Sequence, residues 1–247
     1  MARADKQYAI IAGSGFQSFG DDSKGIIVST IYGEPSGPIR ELRYDDHTVY
    51  VLPRHGDDLM IPPHAINYRA NLQALKQLDV DAIIAVNTVG IISKNTYPGQ
   101  IAVPDQIIDY TWGRAHSLYE GVDKIDHIDF TQPFTENLRQ DLMRAARTAD
   151  VTVCDGGVYA ACQGPRLETA AEVDRLGRDG ADYVGMTAMP EASLAMELKL
   201  DYACLSLVVN FAAGRGKNAI HADIDTNTMT AKIQCMKVLH EFFGHVE

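Results

Sequence analysis

Short apolar runs alternate along the chain with stretches in which apolar residues recur every three to four positions. Tyr8–Ala12 is an apolar run that ends at Gly13-Ser14-Gly15, the pattern of a strand entering a tight turn. Ile27–Ile31 and Val49–Leu52 predict further strands, the second closed by Pro53-Arg54-His55-Gly56. Ala65, Tyr68, Leu72 and Leu75 lie at helical spacing, so an amphipathic helix is expected over His64–Leu78. Ala82–Val86 predicts a buried strand ending at Asn87-Thr88-Val89-Gly90. Ile101–Val103 and Gly157–Cys162 read as strands, and Glu168–Leu176 and Glu191–Leu198 as helices. Tyr202–Val209 reads as a strand buried on both faces, and the last helix is expected over Asn227–Phe243. This order predicts an α/β fold: a single domain over residues 1–247, with a central mixed β-sheet flanked by helices. Ala213–His221 is polar and glycine-rich, a candidate lid before the last helix.

Composition narrows the partners. The 247 residues suffice for one large α/β domain, and 46% hydrophobic residues is ordinary for a soluble protein. A net charge of −11 argues against nucleic acid or an anionic membrane surface. An anionic small-molecule substrate would therefore need local cationic groups. No apolar run reaches the ~18 residues of a membrane span, and Lys6 and Gln7 interrupt any signal-peptide core. The four cysteines have no CxxC spacing and three lie in or beside apolar runs, as expected of free thiols in a reducing cytoplasm. The eight histidines form no zinc pattern, so no metal is expected.

Several polar groups sit where strands are expected to end. Gly13-Ser14-Gly15 can offer backbone N–H groups and a hydroxyl to a phosphate, or be an ordinary turn. Arg54-His55 suits an oxyanion in an acidic protein, or is a solvated pair. Asn87-Thr88-Val89-Gly90 adds donors or is a routine strand exit. Thr187 reads as a helix cap or a ligand, and Met186 as core or cavity wall. Glu168 is an early-helix acid favoured by the dipole, or a carboxylate that accepts from the N1–H of a 6-oxopurine. Asn210 closes a long apolar strand, where an unpaired carboxamide would cost roughly 1–3 kcal/mol if buried. Its amide can donate to a purine O6 and accept from N7–H.

Taken in order, Gly13-Ser14-Gly15, Arg54-His55-Gly56, Asn87-Thr88-Val89-Gly90, Gly164-Pro165-Arg166-Leu167-Glu168-Thr169, Gly185-Met186-Thr187-Ala188-Met189-Pro190-Glu191 and the strand ending in Asn210 resemble the trimeric purine nucleoside phosphorylase and methylthioadenosine phosphorylase family. The resemblance runs from Tyr8 to Phe243. It implies that Ser14, Arg54, His55, the Thr88 backbone and Thr187 bind phosphate, that Met186 lies against the ribose, and that Tyr159 and Leu167 line the nucleoside site. Glu168 and Asn210 match the inosine-type members; adenine-type members carry serine and aspartate there, with another aspartate where this chain has Ala212. Pro53-Arg54-His55-Gly56 and His127-Ile128-Asp129-Phe130-Thr131-Gln132-Pro133-Phe134 follow the methylthioadenosine type instead, with His127 reaching into a neighbouring subunit's sugar pocket. Together these imply a 6-oxopurine nucleoside bearing a 5′-methylthio group, S-methyl-5′-thioinosine, cleaved by phosphate in a cytoplasmic homotrimer. Inorganic phosphate would be a co-substrate, with no cofactor. Ile220, Ala222 and Ile224 are the expected apolar wall at the 5′ end. The alternatives are a general inosine or methylthioadenosine phosphorylase and a non-catalytic nucleoside-binding regulator, which would not need the oxyanion set. A nicotinamide-linked dehydrogenase lacks support, because no full glycine fingerprint is present. Thr88 and Val89 stand where family members have smaller residues, and Phe211-Ala212-Ala213 lacks the polar residues that follow the asparagine in inosine-type members.

Overall fold

The computed structural model describes the chain apart from residues 1, 3–5, 17–18, 20–24, 45–46, 59, 94, 120–124, 218–219, 221–223 and 245–247. In chain order the elements are β1 (Tyr8–Ala12), β2 (Gly25–Ile26), β3 (Ile39–Tyr44), β4 (His47–Pro53), α1 (Tyr68–Gln77), β5 (Ala82–Ile91), β6 (Ile101–Val103), β7 (Gln106–Asp109), α2 (Glu136–Thr148), β8 (Val153–Asp155), β9 (Val158–Ala161), α3 (Ala170–Arg178), β10 (Tyr183–Gly185), α4 (Ala188–Glu197), β11 (Asp201–Phe211) and α5 (Ile224–Phe243). The strands form one mixed, branched sheet, so the α/β expectation holds.

Alternation along the central strands builds a core on each face. Ile10, Ile84, Leu205 and Leu207 pack with Leu138 and Leu142 of α2 and Val238, Leu239 and Phe242 of α5. Ala9, Ile11, Ile83 and Cys204 pack on the other face with Leu72 and Leu75 of α1 and Ala192 and Leu194 of α4.

The branch point positions the site. β5 pairs in parallel with β11 along one edge, from Ala82 to Ile91. On its other edge β1 covers Ala82–Val86, and β10 takes over only at Gly90 and Ile91, running antiparallel. The sheet therefore forks beside Asn87–Val89. Val86 turns its carbonyl toward β1, where it accepts from Gly13 N–H at 3.0 Å. Successive residues of a strand face opposite edges, so the Thr88 backbone groups face the gap between β1 and β10. At Val209 a β-bulge lets Val208 pair with Val89 and Asn210 with Gly90, which re-aims the end of β11.

Four expectations change. Ile27–Ile31 is not a strand: pairing with β3 stops at Ile26, and Ile27 and Ile31 are 81% and 84% exposed. β5 does not end at Asn87 but continues through Ile91, because β11 supplies a partner along its whole length. Glu168 lies before its helix, since Thr169 and Glu172 close a capping box that starts α3 at Ala170. Strands β2, β3, β7, β8 and β10 and helix α2 are additions to the elements the pattern predicts.

Candidate active site

A cavity of about 430 Å³ opens at the fork. It is lined by Ser14 after β1, Arg54 and His55 after β4, Asn87–Gly90 of β5, Leu167 and Glu168 before α3, Met186 and Thr187 between β10 and α4, and Asn210 at the bulge of β11. Six separate segments of the sequence thus converge on one space. Ile220 also lines it.

At one end stand groups suited to an oxyanion. Arg54 is wholly buried, not solvated: its Nε and Nη2 donate to the two oxygens of Glu191, both at 2.8 Å, and Nη1 donates to the Val86 carbonyl at 2.7 Å. Burial works against its charge, but the adjoining Glu191 carboxylate more than offsets this and raises its pKa. Each Nη keeps one further N–H. Gly13 is required here, because a Cβ would lie 2.5 Å from both Arg54 Nη1 and the Val86 oxygen. The His55 ring lies 2.8 Å from the Ile61 carbonyl through Nδ1. Burial, and then the Arg54 charge, lower its pKa below the usual histidine range. Thr187 occupies the N-cap position of α4 yet makes no side-chain cap bond, so its hydroxyl is not spent on the helix. Its backbone N–H donates to Tyr159 Oη at 3.4 Å.

At the other end stand a carboxylate and a carboxamide. Burial raises the Glu168 pKa above its ordinary value, and the Cys162 thiol is hydrogen-bonded to the carboxylate. The same contact follows burial in pushing the Cys162 pKa up to about 12. Asn210 Nδ2 donates to the Phe211 carbonyl at 2.7 Å. A carbonyl only accepts, so this bond fixes the amide orientation and leaves Oδ1 and one N–H for a ligand. Leu167, 40% exposed, and Val184 add apolar wall.

Some expected residues lie elsewhere. Tyr159 does not line the cavity: it is fully buried behind Gly185, where a Cβ would fall 2.0 Å from its hydroxyl. It supports the turn carrying Met186 and Thr187 instead. His127 is exposed and outside the cavity of its own chain. Ile224 begins α5 without reaching the cavity, and Ala222 lies outside the described residues, as does His221. Among the described residues, no group of three or more His, Cys, Asp or Glu is placed to hold a metal.

Other participants were not evident in the sequence. Glu191 pairs with Arg54 across 137 residues, a separation no local pattern reveals. Arg114 donates to the Met186 and Met189 carbonyls at 2.7 and 2.6 Å, and to the Gln163 carbonyl at 2.8 Å. It thereby ties the exit of β9 to the turn between β10 and α4. Neighbouring Trp112 and Gly113 offer no periodicity that would have singled it out. Asn87 was legible as a polar strand residue, but not its buried position.

Residues 7–244 match the phosphorylase superfamily, and the chain belongs to that family. Over 228 residues it is 49% identical to a probable S-methyl-5′-thioinosine phosphorylase of Xylella fastidiosa, covering 90% of this chain and 92% of that one. It is 40% identical to a 6-oxopurine nucleoside phosphorylase of Pyrococcus furiosus, over 87% and 84% of the two chains. Among solved structures, methylthioadenosine phosphorylase from Schistosoma mansoni in complex with adenine superposes with a TM-score of 0.89 at 32% identity, over 97% of this chain and 91% of that one.

Proposed function

We propose that the protein catalyses phosphorolysis of S-methyl-5′-thioinosine to hypoxanthine and 5-methylthioribose 1-phosphate, as a cytoplasmic homotrimer with inorganic phosphate as co-substrate. The observation that carries this reading is a single cavity that joins an oxyanion-suited set to a carboxylate–carboxamide pair, with Met186 among its walls. Phosphate at Ser14, His55, Thr88 and Thr187 would face C1′ of the sugar, with the purine held by Glu168 and Asn210. A phosphate oxygen bonds to C1′ as the C1′–N9 bond breaks, and that electron pair passes into the purine. As that pair arrives, N7 takes up a proton from solvent; Asn210 Oδ1 accepts from the forming N7–H while Nδ2 donates to O6, contacts that strengthen as the bond breaks. Holding both reactants in one cavity removes several kcal/mol of barrier, about the scale of an effective-molarity gain. Glu168 and Asn210, together with Ala212, support a 6-oxopurine, and the names of the sequence relatives point the same way. His127, exposed here, is placed by this reading in the sugar pocket of a neighbouring subunit.

The test is hypoxanthine release from S-methyl-5′-thioinosine with and without phosphate. Release should require phosphate and yield one sugar 1-phosphate per base. Equal rates without phosphate would make the protein a hydrolase and overturn the reading.

A further inference from the structure

Arg114 stands behind the cavity wall. It is buried, and it lines neither the cavity at the fork nor a second one, of about 290 Å³, that shares Glu168 with it. A guanidinium has five N–H groups in one plane and no acceptor. Here Nε donates to Gln163 Oε1 at 3.2 Å. Nη1 donates to the Met186 and Met189 carbonyls at 2.7 and 2.6 Å, and to Tyr68 Oη at 3.2 Å. Nη2 donates to the Cys162 and Gln163 carbonyls at 3.2 and 2.8 Å. Every donor is spent on a neutral oxygen of the protein, so none is left for a ligand. None of these partners is a carboxylate, so the fan of oxygens holds the group in place of an ion pair.

Those oxygens belong to three walls of the cavity. Cys162 and Gln163 lead into the loop that ends at Glu168, and the Cys162 thiol is hydrogen-bonded to the Glu168 carboxylate. The hold on Cys162 thus reaches the group that faces the base. Met186 and Thr187 form the wall assigned above to the sugar and phosphate. Tyr68 Oη, accepting from Arg114, donates to the Pro63 carbonyl at 3.0 Å, and Pro62 and Pro63 form a third wall. The first two walls meet at Gly164, where a Cβ would lie 2.4 Å from Met186 Sδ. Any slip of this loop against the turn would change the distance from Glu168 to Met186 and Thr187.

We infer that Arg114 is a positioning residue for phosphorolysis, setting the span between the base-facing carboxylate and the sugar and phosphate contacts. The inference rests on the phosphorolysis reading and goes beyond it, because it gives a role to a residue that touches neither reactant. Phosphate reaches C1′ only when nucleoside and phosphate are gripped at the right separation. Hypoxanthine or phosphate alone needs one end of the cavity. Arg114 therefore acts on the reacting geometry and leaves the affinity for either half-ligand nearly untouched. Lysine keeps the charge, but its three N–H groups radiate from one atom and cannot replace the planar fork that spans Gln163 to Met189.

The experiment compares wild type with Arg114→Lys and Gln163→Ala. It measures calorimetric binding of hypoxanthine and of phosphate separately, kcat for S-methyl-5′-thioinosine per hypoxanthine-binding site at saturating phosphate, and Tm. In Arg114→Lys kcat should fall on the order of 100-fold, the scale for reacting groups misplaced by ~1 Å. Gln163→Ala removes the acceptor that Arg114 Nε shares with the Trp112 N–H, and should lower kcat about tenfold. In both, hypoxanthine and phosphate should each bind within about threefold of wild type. A merely structural arginine would lower Tm and the fraction of protein that binds hypoxanthine while kcat per site stayed unchanged, and that result overturns the inference. So does a loss of affinity for either ligand alone as large as the loss in kcat. If Arg114→Lys does not fold, Gln163→Ala, at a half-buried position, decides by the same split. Wild-type turnover that ignores phosphate overturns the phosphorolysis reading and this inference with it. Phosphate-dependent wild-type turnover without the split in the variants overturns this inference alone.

Discussion

Arg54→Ala tests how the site is held together. The substitution leaves Glu191 fully enclosed with one remaining partner, the Tyr202 hydroxyl at 2.8 Å, in place of three hydrogen bonds and a counter-charge. Breaking a buried ion pair by removing one member costs about 3–5 kcal/mol. The lost Nη1 bond to the Val86 carbonyl adds about 1 kcal/mol. The total, about 4–6 kcal/mol, is a large share of the ~5–15 kcal/mol that stabilises a typical protein. Loss of phosphate binding would therefore be secondary to loss of folded protein. The paired change Arg54→Met with Glu191→Leu removes both charges and keeps the volume, so it should recover at least ~2 kcal/mol relative to Arg54→Ala. Urea unfolding followed by far-ultraviolet circular dichroism, at one fixed protein concentration, measures both. Arg54 lines the cavity with one N–H left on each Nη, so the folded double variant should also show a raised phosphate KM. An Arg54→Ala protein within about 1 kcal/mol of wild type would refute the reasoning.

Four further outcomes are expected. Glu168→Gln should lower kcat/KM for a 6-oxopurine nucleoside by about 10–100-fold, the loss of a hydrogen bond to a charged acceptor. Because burial raises the Glu168 pKa, the wild-type carboxylate protonates at higher pH than a solvated glutamate. Hypoxanthine affinity should then fall on acidification through that raised pKa, and inhibition constants against pH should show this limb in wild type but not in Glu168→Gln. Gly185→Ala should impair turnover, since its Cβ would meet Tyr159 Oη at 2.0 Å and Cζ at 2.5 Å; Tyr159→Leu, which removes both atoms, should partly restore kcat in the double variant, and no loss in Gly185→Ala would contradict the supporting role given to Tyr159. Mixing His127→Ala with Asn210→Ala proteins after reversible dissociation should regain activity if sites are shared between subunits, and a fully active monomer would exclude sharing.

Long apolar runs made the centre of the fold legible. Tyr8–Ala12, Ala82–Val86 and Tyr202–Val209 became β1, β5 and β11, because strands buried on both faces are apolar throughout. Three-residue strands such as β10 are too short to show a period, and β10 forms the fork. Helix α2 was not among the predicted elements, although Leu138, Leu142, Ala145 and Ala146 lie at helical spacing and are all buried. In the site, Ser14, His55, Thr88, Glu168, Met186, Thr187 and Asn210 were legible as polar or soft residues beside strand ends, and one cavity gathers them. The pairing of Arg54 with Glu191, the carbonyl clamp of Arg114 and the withdrawal of Tyr159 behind Gly185 depend on contacts between distant segments. Local pattern carries no trace of such contacts.

The central claim is a choice of substrate, and kcat/KM under saturating phosphate for S-methyl-5′-thioinosine, methylthioadenosine, inosine and adenosine tests it most directly. Adenine lacks the N1–H that Glu168 accepts, and a site built around such a group rejects the analogue by as much as ~10⁴-fold. Burying the methylthio group contributes about 1–2 kcal/mol, and a 5′-hydroxyl left unpaired against an apolar wall loses a further ~1–3 kcal/mol. The account therefore predicts S-methyl-5′-thioinosine first, ahead of inosine by roughly two to three orders of magnitude and ahead of methylthioadenosine by at least about as much. A preference for methylthioadenosine would contradict the roles of Glu168 and Asn210, and equal values for inosine would contradict an apolar 5′ pocket, of whose expected residues Ile220 lines the cavity.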